Sequence, residues 1–206
     1  GLYRFPRGED LAYYKDNYER YDEDSKLNTQ NWDTFTEDFE QNPYCRQNRI
    51  QSKDARIRLL LSLSANLKVT DWLTLQARGN LDYSADKLRQ KFYASTATAL
   101  CGMNGRYIEM DYQETQMYGD VMAMVKKQLN DFTLDVAIGG SINDRITNST
   151  RIDSKNASLK YANVFNLANI VMSSSASIDQ KIDAHYQLQS VFATAQIGYK
   201  EGVFLD

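Results

Sequence analysis

One histidine, two cysteines and two prolines in 206 residues leave little material for several common kinds of site. His185 stands alone and Cys45 lies far from Cys101, so nothing has the spacing of metal ligands, and neither a Ser-His-Asp nor a Cys-His nucleophile is supported. Paired carboxylates occur at Glu9/Asp10, Glu23/Asp24 and Glu37/Asp38. They lie among many Tyr and Asn, where a solvated charged surface explains them better than acid-base chemistry. The chain therefore reads as a non-enzyme with no cofactor and no metal. A net charge of −3 supplies no basic face, which removes nucleic acid as a partner. No apolar run approaches the roughly 18 residues of a membrane-spanning helix, and the charged, aromatic beginning is unlike a signal peptide. Alternating strands never raise a hydropathy window, so a membrane β-barrel survives these exclusions.

What the sequence has in quantity is alternation. From 55 to 69 the odd positions read Ala55, Ile57, Leu59, Leu61, Leu63, Ala65, Leu67 and Val69, while the even ones are almost all polar. A period of two puts every odd side chain on one face of a strand far longer than the usual five or six residues. After a short turn at Thr70-Asp71, the stretch 72 to 83 continues in phase with Leu73, Leu75, Ala77, Gly79, Leu81 and Tyr83. Residues 55–83 thus form a hairpin whose apolar faces coincide. The same device recurs over 117–140, turning at Leu129-Asn130-Asp131, and over 188–206, turning at Lys200-Glu201-Gly202. A charged, loop-like start and an end shortly after the last strand begins are what an excised piece of a larger protein would show.

The connections at 84–116 and 142–186 are long, whereas connections in compact soluble domains are usually a handful of residues. Short turns at one end and long loops at the other are the asymmetry of an outer-membrane barrel. On that reading Arg56, Arg58, Ser62, Ser64, Asn66, Thr74, Gln76, Arg78, Asn80 and Asp82 line an aqueous lumen. The aliphatic set then faces lipid, with Trp72 and Tyr199 in an aromatic girdle near the turns. The expected fold is all-β: antiparallel hairpins with long loops. A soluble β-rich cell-surface binding or adhesion module also alternates, and periodicity alone leaves it open.

Residues 1–53 read as an outer loop region leading into a barrel segment, 54–206. Their aromatics, Tyr3, Phe5, Tyr13, Tyr14, Tyr18, Tyr21, Trp32, Phe35, Phe39 and Tyr44, fall among Asp, Glu, Asn and Gln. Such faces suit sugar rings and peptides alike. Tyr13, Tyr14, Tyr18, Tyr21 and Trp32 are the candidates for substrate or partner contact, against the alternative that they knit the loop together. The triplets Asn148-Ser149-Thr150 and Asn156-Ala157-Ser158 match a glycosylation acceptor, a short pattern that in a membrane barrel is expected by chance. Whether Cys45 and Cys101 pair is left open by sequence.

The segments LYRFPRGEDLAYYKDNYERYDE, TEDFEQNPYCRQNRI, VTDWLTLQARGNLDY and SVFATAQIGYKEGVFLD resemble, in that order, the middle of the barrel in SusC-like TonB-dependent transporters. The resemblance covers nearly the whole chain. It includes an Asn-Pro-Tyr step into a strand at 42–44, a Thr-Asp-Trp-Leu turn at 70–73 and a Gly-Tyr-Lys turn at 198–200. Cys45 departs from it, standing where the family has Trp. The resemblance implies about six strands of a barrel of about 22 in the bacterial outer membrane. It also implies active import of a glycan or peptide nutrient, a SusD-like surface lipoprotein as lid, and TonB acting through a plug and a contact segment outside these residues.

Overall fold

Long runs with a period of two have one local solution, an extended strand, and the described residues of the computed structural model hold five long strands and three short ones. Residues 5, 7–32, 41–97, 99–155, 159–171, 177–200 and 203–205 are described. After helix α1 (Leu11–Asp16) come β1 (Glu19–Asp22) and β2 (Leu27–Gln30), which pair antiparallel with Glu19 opposite Gln30. Helix α2 (Pro43–Arg49) leads into β3 (Ile50–Lys68), β4 (Leu73–Phe92), β5 (Arg106–Leu129), β6 (Phe132–Asp153), β7 (Ser177–Tyr199) and β8 (Val203–Leu205). These six strands form one sheet in sequence order, β3-β4-β5-β6-β7-β8, so all three expected hairpins are present and the fold is all-β and antiparallel.

The strands run past the ends that hydropathy indicates. Where connections are expected at 84–116 and 142–186, β4 continues to Phe92, β5 starts at Arg106, β6 reaches Asp153 and β7 starts at Ser177. Beyond Ala85 the odd positions become Lys87, Arg89 and Lys91 while the even ones mix Asp86 and Gln90 with Leu88 and Phe92, so the hydropathy period vanishes while the hydrogen-bonded ladder persists. The Asn-Pro-Tyr step also differs from expectation. Asn42 caps α2, its Oδ1 accepting from the Tyr44 and Cys45 amides, with Pro43 in the first turn. The strand begins only at Ile50. Proline suits that first turn because its missing N–H has no helical partner there.

The chain divides into two compact units: 1–56, 86–112 and 149–180, and then 57–85, 113–148 and 181–206. The first has a small core of Tyr107, Leu159 and Ile170, with Ile152 and Phe165 packed against it. The second, among its described residues, is made of strands and the short turns that join them. The turn between β5 and β6 is closed by Asn130 at φ 52, a left-handed conformation that asparagine tolerates better than most residues.

Candidate functional site

In the second unit the sheet presents two unlike faces, and the apolar one is uncovered. Ile57, Leu61, Leu63 and Leu67 of β3 and Val191 of β7 are all exposed, Leu63 by 79% and Val191 by 86%. A soluble sheet buries such a face on a core, since each large aliphatic side chain gains about 1.5–3 kcal/mol from leaving water. The apolar run of β6, from Phe132 to Ile142, ends at Asp144. That of β7, from Tyr199 back to Val191, ends at Gln189, Gln187 and His185. There Asp144 accepts from His185 Nε2 and Gln187 Nε2, each at 2.8 Å, closing the run with a polar tier. At the turn end the Phe132 and Tyr199 rings lie 5.0 Å apart, tilted by 44°, and Lys127 lies 5.8 Å over the Trp72 ring. With about 3.3 Å per residue and a tilt near 40°, a run of about ten residues spans roughly 25 Å, the height of a barrel's lipid band.

The opposite face is a ladder of charge and amide pairs. Arg58 Nε donates to Asp82 at 2.9 Å, Arg78 Nε to both oxygens of Asp120 at 3.1 and 3.0 Å, and Lys126 lies 3.5 Å from Asp135. Gln76 donates to Asn66 at 2.8 Å and Gln116 to Asn143 at 3.0 Å. Near the short turns this face carries a concavity of about 870 Å³, lined among others by Trp72, Thr74, Met124, Lys126, Asp135 and Gln196. Its lining mixes polar groups (Asp71, Thr74, Lys126, Asp135, Thr194, Gln196) with apolar ones such as Val136 and Ala193.

The first unit holds the five aromatic candidates, and it separates them. Tyr14 and Trp32 are buried, their rings 5.0 Å apart and edge-on, with Phe5 5.6 Å from Trp32. Tyr18 is half-buried, and its carbonyl accepts the Asn31 amide at 3.0 Å. Tyr13 and Tyr21 are exposed. Tyr14 and Trp32 thus knit the segment together, leaving Tyr13 and Tyr21 facing outward. Tyr3, Phe35, Phe39, the Glu37/Asp38 pair, Glu201-Gly202 and the triplet Asn156-Ala157-Ser158 lie outside the described residues. Asn148 is in β6, where its side chain accepts the Asp183 amide at 2.7 Å.

Buried polar groups in this unit are well partnered. Asn42, fully buried, donates from Nδ2 to the carbonyls of Tyr14 and Asn31, both at 3.0 Å. Arg106 grips Asp153 through two nitrogens at 2.8 and 2.9 Å and reaches the Leu100 carbonyl, while Arg151 adds a 3.0 Å contact. Burial opposes charge on Asp153, yet the two arginines and the Lys155 amide hold its carboxyl below the usual value. Tyr107 is pushed up to about 12, by burial first and then by donating to Glu109. Cys45 and Cys101 are separate buried thiols, not a disulfide. Burial, then the Glu19 carboxylate, pushes Cys45 up to about 11, and burial raises Cys101. Among the described residues no group of three or more His, Cys, Asp or Glu is placed to hold a metal ion.

No protein-family model matches the chain, and no curated protein matches it. Solved structures do. The RagAB peptide transporter superposes with a TM-score of 0.63 at 14% identity, covering 80% of this chain. Its open-open state, described as a peptide importer, gives 0.64 at 17%, and its closed-closed state 0.63 at 14%. The chain has the fold of part of RagAB. It spans 18% of the length of those chains. The neighbours are transporters rather than enzymes, and no helix among the described residues is long and apolar enough to cross a membrane.

Sequence reading put Arg58, Arg78 and Asp82 on one polar face and Asp120 among the even positions that alternate with the apolar set of the second hairpin, but it did not show that Arg78 pairs with Asp120. It also missed Asp144, because His185 was weighed only as a metal ligand or a catalytic base. A polar residue closing an apolar run on both β6 and β7 was the available signal.

Proposed function

We propose that this chain is part of the wall of a SusC-like, TonB-dependent importer in the bacterial outer membrane, with peptide as its cargo class. The carrying observation is the uncovered apolar face, about as tall as a lipid band and backed by a paired polar face. The likeness to a peptide importer supports the same reading. Lipid covers the odd face of β3 and its counterparts, and the polar face lines the passage. Residues 1–53 and the connections 93–105 and 154–176 are the outer surface, where a SusD-type lipoprotein closes over the cargo and where Tyr13 and Tyr21 offer contacts. TonB acts on parts of the transporter beyond these residues. A soluble surface module would have to bury Leu63 and Val191, whose exposure weighs against it.

Deleting residues within the 159–171 connection of the intact transporter tests the outer assignment. Uptake of peptide or co-purification of the lipoprotein is expected to fall while the folded barrel persists on gels. Recovery of the protein in the soluble fraction, or a wild-type protein that imports no peptide, would contradict the proposal.

A further inference from the structure

Along the polar face of the second unit, four strand cations are covered by a group from the strand that follows, while Lys68 at the end of β3 pairs with Asp71 of the turn. Arg58 of β3 meets Asp82 of β4, Arg78 of β4 meets Asp120 of β5, and Lys126 of β5 meets Asp135 of β6. Arg145 of β6 lies 5.6 Å over the ring of Tyr186 of β7. Stability is a weak reason for the Arg58–Asp82 and Lys126–Asp135 pairs, since half-exposed surface pairs contribute little. The side chains of Arg58 and Lys126 are 55% and 77% exposed, those of their partners 27% and 38%. A guanidinium without such a partner presents a planar fork that binds any carboxylate through two hydrogen bonds. On the wall of a passage, a bare one would hold acidic cargo instead of letting it through.

We infer that Asp82, Asp120 and Asp135 determine specificity by screening the wall cations, so that acidic peptides pass without being retained. This rests on the reading of the polar face as the wall of a peptide passage. The carboxylates act through the cations and need not touch the cargo themselves.

The test uses the intact transporter and two probes, a short Glu-rich peptide and its Gln counterpart. Asp82→Asn is the first variant because Asp82 is partly exposed, and Asp120→Asn is the second. Each should bind the Glu-rich peptide roughly threefold to tenfold more tightly than wild type and import it more slowly, with the gain lost in high salt. The Gln peptide should be unaffected, and the double variant Arg58→Gln/Asp82→Asn should return to wild-type behaviour. Unchanged binding of the Glu-rich peptide in folded variants, or equal shifts for both peptides, overturns the inference. A wild-type protein that imports neither peptide removes the passage reading instead, and the binding comparison still decides whether these carboxylates screen the cations.

Discussion

Arg78 and Asp120 meet across β4 and β5 with the carboxylate wholly shielded from solvent and the guanidinium still 47% exposed. The asymmetry predicts an order of effects. Replacing Arg78 by Met strands a buried carboxylate, whereas replacing Arg58 by Met leaves Asp82 with 27% of its side chain in water. Arg78→Met should lower the temperature at which the folded barrel loses its gel mobility by more than Arg58→Met does. Equal shifts would show that solvent reaches Asp120 in the membrane-inserted protein.

Adjacent positions on β3 should behave oppositely. Arginine at Leu61 or Leu63, in the middle of the apolar run, should cost about 2–4 kcal/mol of barrel stability, and arginine at Ser62 much less. Equilibrium unfolding of the inserted transporter measures this, and equal tolerance at 61, 62 and 63 would reverse the facing assigned here.

Cys45 should be chemically silent at neutral pH. With its pKa pushed up to about 11 by burial and Glu19, almost no thiolate forms at neutral pH, so alkylation should be slow until the protein is unfolded. Because the folded value lies above the ordinary 9.0, the thiol's contribution to stability is complete below about pH 9 and disappears as pH rises through about 11. Gel mobility should be the same with and without reductant. Fast labelling of Cys45 in the folded protein would place it at the surface.

Asn42 supports the first unit through four hydrogen bonds, two that cap α2 and two to the carbonyls of Tyr14 and Asn31. Asn42→Ala should cost about 1–2 kcal/mol locally, enough to speed proteolysis within residues 7–50. Barrel assembly, read by gel mobility, should not change. Loss of the folded barrel in this variant would show that β3 depends on α2 to form.

The hairpins were legible because one face of each strand is apolar over the lipid band, and a period of two admits no other structure. The strand ends were not, since Lys87–Asp111 and Arg89–Glu109 continue β4 and β5 with charge on the positions that had been apolar. Within residues 1–50 the helix at Pro43 was readable in principle, as Asn followed by Pro is a helix-start signature, but the step was read as entry into a strand. Composition could not separate buried Tyr14 and Trp32 from exposed Tyr13 and Tyr21. That division depends on the ring packing around Phe5 and on Asn42, which brings together carbonyls distant in sequence. The ladder was half visible: alternation gives the face of each charge, while its partner depends on how neighbouring strands are aligned.

The central claim is that β3 separates lipid from water, and single cysteines placed one at a time from Ile57 to Val69 in the intact transporter test it most directly. In native membranes, odd positions should react with a lipid-soluble thiol reagent and resist a charged one, while even positions should react with the charged reagent. Labelling without alternation, or odd positions shielded from both reagents as in a packed protein core, would contradict the account.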